Sequence, residues 1–129
     1  MTLREQILGA MDLQLEAMVV PEWSTSVYVR GLTLAERTKI ADEANGMNGA
    51  TDAQKTSVLT RRLVQYGVCD SLGASLFGDE DFDSLAQKNA NVLDRIGLRV
   101  SALSKLGEKD VKELEKNSDP TQTVDSASS

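Results

Sequence analysis

Three times along this chain a threonine stands three places before a glutamate or glutamine, just ahead of apolar residues at helical spacing. The stretches are Thr2-Leu3-Arg4-Glu5, Thr33-Leu34-Ala35-Glu36 and Thr51-Asp52-Ala53-Gln54. In this pattern the hydroxyl and the carboxylate or amide reciprocally satisfy the free N–H groups at a helix start. One match arises easily by chance. Three, each leading into a helical stripe, commit much of the chain to helices that begin near residues 3, 34 and 52.

The first helix is expected over about residues 3 to 11, with Leu3, Ile7, Leu8 and Met11 on one side. There the period changes. Leu13, Leu15, Ala17 and Val19 alternate with Asp12, Gln14, Glu16 and Met18, the signature of a half-buried strand. Pro21 removes a donor and stops it. Glu22 to Thr25 make a turn, and Val27-Tyr28-Val29 resume as strand formers until Gly31. The spacing therefore predicts one β-hairpin near residues 13–30, with the lone tryptophan, Trp23, at its turn.

Beyond the hairpin the pattern is helical. The second helix, about 34 to 45, carries Ile40, Ala41, Ala44 and Met47 inward, and the GMNGATD loop follows. The third, about 52 to 66, buries Leu59, Leu63 and Val64. Residues 67–78, GVCDSLGASLFG, fit either a small hairpin closing at Asp70 to Gly73 or an irregular connection with a turn, and the second is the expectation. Asp79 is expected to cap a short helix to about Lys88. Asn89 caps the longest, about 90 to 106, whose inner stripe is Val92, Ile96, Val100 and Leu103, with Gly107 as its left-handed stop. A charged helix over Glu108 to Lys116, docked by Val111 and Leu114, and a disordered tail over 118–129 complete the reading. The fold class is α+β, mainly α: N-terminal helix, hairpin, then a four- to five-helix body in a single domain over residues 1–117.

Composition narrows the function. At 129 residues the chain is long enough for one core. Its net charge of −6 disfavours a binder of nucleic acid, which needs a basic stripe. Histidine is absent and Cys69 is alone, so no disulfide and no His/Cys metal site is expected. No apolar run is long enough to span a bilayer. The amino terminus lacks a signal-peptide core, and a soluble intracellular protein is expected. Asp79, Glu80, Asp81 and Asp83 lack the glycine-punctuated loop of a calcium site and read as a solvated helix start. Cys69 has no histidine to activate it, and no phosphate-cradling glycine loop is present. Neither catalytic nor cofactor-binding residues are expected, and the chain is not read as an enzyme.

Two apolar residues fit the core pattern poorly. Leu98 lies about 240° around its helix from Val92, and Trp23 sits in a polar turn. Each either packs locally, Leu98 against the terminal helix and Trp23 against the hairpin face, or belongs to a contact surface, where aromatic anchors dominate the energetics. With Val27 and Tyr28 of the hairpin they are the candidate protein-binding residues.

The order of the pieces carries a resemblance. LREQILGAMD, then VVPEWSTSVYVRGLTLAER, then DSLGASLFGDEDFDSLAQKNANVLDRI, then LSKLGEKDVKELEKN resembles the tail assembly chaperones of long-tailed bacteriophages over about residues 2 to 117. VPEW followed by VYVR, LFGDEDFDSLAQKN before a long helix, and the closing LEKN are its most specific parts. The departure is at VCDSLGASLF, where relatives carry a charged residue after the turn glycine and this chain has Ala74 and Ser75. The resemblance implies a non-enzymatic helper of the host cytoplasm that coats the tape-measure protein, keeps it soluble, recruits the tail tube (major tail) protein, and is absent from the mature virion. From the residues themselves, the hairpin that carries Trp23 is expected to be a docking or self-association platform, since free strand edges invite cover. A structural tail-completion or connector protein retained in the virion is the rival. Glu115-Lys116-Asn117 can also be encoded as GAA AAA AAC, a slippery sequence, and such chaperones are often made in a short and a frameshifted, extended form.

Overall fold

A computed structural model describes residues 1–105. The expectations for Gly107, for the helix over Glu108 to Lys116, for the frameshift site and for the tail over 118–129 lie outside those residues. Within them the chain folds as α1 (Leu3–Gly9), β1 (Leu15–Val20), a 3-10 turn (Pro21–Trp23), β2 (Thr25–Arg30), α2 (Leu34–Asn45), α3 (Asp52–Gly67), β3 (Val68–Cys69), a second 3-10 turn (Asp79–Asp81), α4 (Phe82–Leu85) and α5 (Ala90–Leu103). The mainly α, α+β class is as expected.

All three threonine starts form complete capping boxes: Thr2 with Glu5, Thr33 with Glu36, and Thr51 with Gln54. Asn89 caps α5, its Oδ1 accepting from the N–H groups of Asn91 and Val92 at 2.9 and 3.4 Å. Expected and observed stripes agree on the two central helices. Leu59, Leu63 and Val64 of α3 meet Val92, Ile96 and Val100 of α5, and all are buried. Gly67 lets the helices close: a Cβ there would overlap the side chain of Val100, which is fully buried. Helix α5 ends three residues earlier than expected, with Ser104 as C-cap and Lys105 in the left-handed region at φ 61°.

The sheet has three strands in the order β1-β2-β3, all antiparallel. The hairpin register pairs Leu15 with Arg30, Ala17 with Tyr28 and Val20 with Thr25. Val20 and Val29 are fully buried, and Met18 and Val27 pack against the same core. This corrects the expected phase of β1. Its period of two is right, but the inner face carries Glu16, Met18 and Val20, while Ala17 and Val19 stand exposed on the other face. A one-residue shift of phase exchanges the faces of a strand. The polar Glu16 is tolerated inside because Arg99 of α5 meets both its oxygens, at 2.6 and 2.8 Å.

Three further expectations are corrected. Residues 67–78 are not an irregular connection. Val68 and Cys69 join the sheet, Cys69 bridges Ser75, and the turn closes at Asp70 to Gly73. The Asp70 carboxylate accepts from the N–H groups of Leu72 and Ala74, and Gly73 adopts φ +91°. Asp79 is not a cap; Gly78 N–H donates to Asp81 Oδ2 at 2.9 Å instead, and α4 is a single turn. The first helix ends at Gly9, short of the expected residue 11, and among the described residues nothing buries Leu3, Ile7, Leu8 and Met11, which are 54 to 70% exposed.

Candidate protein-binding recess

Pro21 supplies the fixed φ that suits the first residue of a helical turn. The 3-10 turn it opens is closed by Ser24 N–H donating to the Pro21 carbonyl at 2.9 Å, with Ser24 left-handed at φ 56°. Trp23 is carried at the end of that turn. Glu22 beside it receives both terminal nitrogens of Arg95 at 2.8 and 3.1 Å, which fastens the hairpin tip to α5. The Arg95 hydrogen bonds hold the Glu22 carboxyl down at about 2.

Held this way, Trp23 packs against the core with one side and lines an open recess of about 220 Å³ with the other. Phe77 and Leu85 form the rest of its apolar wall, and Asp81, Ser84 and Lys88 its rim. The lining is mostly apolar with a few polar groups at the edge, which is the make-up of a site for an apolar side chain. Trp23 is thus packed against the core on one side and left open on the other.

The other three candidates are dispersed. Val27 pairs with Met18 on the inner face and is half-buried against the core. Tyr28 is on the outer face at 40% exposure, and Leu98 projects from α5 at 72%. The recess residues that sequence reasoning missed are Phe77, Asp81, Ser84, Leu85 and Lys88. Four of them, at positions 81, 84, 85 and 88, already share one helical face by spacing, but that segment reads as a solvated helix start. Its acids are largely solvated, as that reading has it, with the Asp79 and Asp83 side chains almost fully exposed. Asp79 Oδ1 accepts from Gln65 Nε2 at 2.8 Å and lies 3.4 Å from Arg62. Arg61 and Arg62 stack 4.0 and 3.7 Å from the centre of the Phe82 ring, so the basic pair braces α4 on α3.

No group of acidic, histidine or cysteine side chains suited to a metal ion occurs among the described residues. Cys69 is buried, and burial pushes its thiol pKa up, away from nucleophilic use. No helix among those residues is long and apolar enough to cross a membrane.

A small α+β domain of this order, with a three-stranded sheet beside two central helices, has a solved counterpart. Neither a family model nor a curated protein matches the chain. The structure of the bacteriophage HK97 tail assembly chaperone matches with a TM-score of 0.62, over 78% of this chain and 95% of that one, at 17% identity. The chain thus has the fold of a phage tail assembly chaperone, and at that identity the likeness speaks for the fold alone.

Proposed function

We propose that this protein is a non-enzymatic phage tail assembly chaperone. It binds the tape-measure protein, keeps it soluble, recruits tail tube subunits, acts in the host cytoplasm and is left out of the mature virion. The observation that carries the reading is the open Trp23–Phe77–Leu85 recess on a domain whose fold is matched along nearly the whole HK97 chaperone. An elongated amphipathic partner exposes apolar surface that would aggregate, and a shallow apolar recess covers one anchor side chain at a time with moderate affinity. Helix-in-groove docking is the corresponding mode.

The test is titration of the purified tape-measure protein with wild type and Trp23→Ala. Truncating a central aromatic anchor costs about 2 kcal/mol or more, roughly a thirtyfold loss of affinity. The circular dichroism spectrum is expected to stay native, because Trp23 is only half-buried. Unchanged affinity, or an unfolded variant, would reject the recess as the binding site. Mass spectrometry of purified particles separates the chaperone from a retained connector subunit, since only the connector would be found there. The codons for Glu115-Lys116-Asn117 test the accompanying frameshift: codons unable to slip would remove it.

A further inference from the structure

Taking the Trp23 recess as the binding site proposed above, we propose that what seats there is one helix of a partner protein. That helix carries a large apolar side chain for the recess and a carboxylate one turn away for Lys88. The recess sets the anchor. Its volume of about 220 Å³ is somewhat larger than the roughly 150 Å³ cavity that holds a benzene molecule, so it takes one leucine, methionine or phenylalanine side chain. Trp23 and Phe77 offer such a group aromatic surface, and Leu85, 4% exposed, offers an aliphatic contact.

The rim sets the charge. Lys88 is exposed, and among the described residues it enters no salt bridge and no side-chain hydrogen bond. Asp94 borders the neighbouring groove with Lys88 but lies beyond ion-pair distance of it. Asp81, the acid of the rim, is already used: its Oδ2 accepts from Gly78 N–H at 2.9 Å. The uncommitted charge beside the recess is therefore positive, although the chain as a whole carries −6. Overall charge favours a basic partner; this one spot selects an acid. Lys88 stands about one turn beyond Leu85, and side chains three or four places apart on a helix are neighbours. A carboxylate at that spacing from the partner's anchor meets Lys88 while the anchor fills the recess. Lys88 also borders a second open groove of about 420 Å³, walled in part by Thr56, Thr60, Ala86 and Ala90. These short side chains leave room for the partner to continue past Lys88, which suits a helix laid along the trough.

Trp23 is the only tryptophan of the chain, so its emission in the full-length protein reports occupancy of the recess. The probes are two tryptophan-free amphipathic helical peptides that share a leucine anchor and differ only in a glutamate or a lysine four residues after it. The glutamate peptide is expected to shift the emission and to bind about fivefold tighter than the lysine peptide. Lys88→Glu, made on an exposed side chain, is expected to reverse that order. Equal affinity for the two peptides, an order that Lys88→Glu leaves unchanged, or no shift with either peptide would overturn the proposal. So would decanoate shifting the emission at lower concentration than the glutamate peptide, which would assign the recess to a lipid. Emission that changes on dilution of the protein alone would assign it to a second copy and overturn the proposal equally. The tape-measure titration stays separate: if Trp23→Ala loses affinity there while the peptides show no charge preference, only the Lys88 pairing falls.

Discussion

Arg30 shows how much one side chain can join. It is 5% exposed, donates through Nη1 and Nη2 to Glu36 at 2.9 Å each, and donates through Nε to the Gly73 carbonyl at 2.9 Å. Ser75 Oγ receives a further bond from Nη2 and passes one on to the Tyr66 carbonyl. One guanidinium thereby holds β2, the start of α2 and the Asp70–Gly73 turn together. Glu36 serves twice, as capping-box partner of Thr33 and as counter-ion of Arg30. Glu5 has only the first role, on an exposed helix. Removing one partner of a buried pair leaves the other charge uncompensated, at a cost of about 3 kcal/mol. Urea denaturation should show Glu36→Ala destabilising by about that amount and Glu5→Ala by clearly less; equal effects would mean that Arg30 finds another partner or water.

Among the elements, the contrast between α3 and α1 is the informative one. Helix α3 is held by its stripe against α5, and the contact is close enough that Gly67 has no space for a methyl group beside Val100. Gly67→Ala raises helix propensity but overpacks a stiff, β-branched neighbour, so a net loss of about 1–3 kcal/mol is expected. Adding Val100→Ala should recover part of that loss, which a double-mutant cycle in denaturant would register as coupling. Helix α1 has an equally regular stripe, and the described residues bury none of it. Periodicity announces that a face wants cover; it does not say what supplies it.

For the whole molecule, the carboxylates that tie elements together also set its response to acid. For Glu36, burial pushes the carboxyl upward, yet its bonds to Arg30 and Thr33 win and hold it below the ordinary 4.5. Glu22 is held at about 2 by Arg95, and Glu5 is lowered by Thr2. As pH falls, the unfolded chain takes up these protons before the folded one does. The stabilisation is therefore complete above about pH 4.5 and is lost progressively below it, toward pH 2. Unfolding free energy measured from pH 6 to pH 3 should decline, and Glu36→Gln should flatten the decline; a pH-independent stability would contradict the assignment.

What this chain's residues determined unaided is whatever is decided within a turn or two of helix or strand. The three capping boxes, the Asn89 cap, the proline-led turn and the stripes of α3 and α5 each depend on neighbours a few places away, and each was legible. What only the tertiary structure decided joins distant positions. The phase of β1 was open because both of its faces are apolar enough, and pairing with β2 together with the Arg99 counter-ion made the choice. The second half of the sheet needed Val68 and Cys69 to meet Tyr28 and Val29, some forty residues earlier. The recess needed the hairpin tip to meet α4. Side chains that lie far apart along the backbone have no spacing for a pattern to record, and packing alone brings them together.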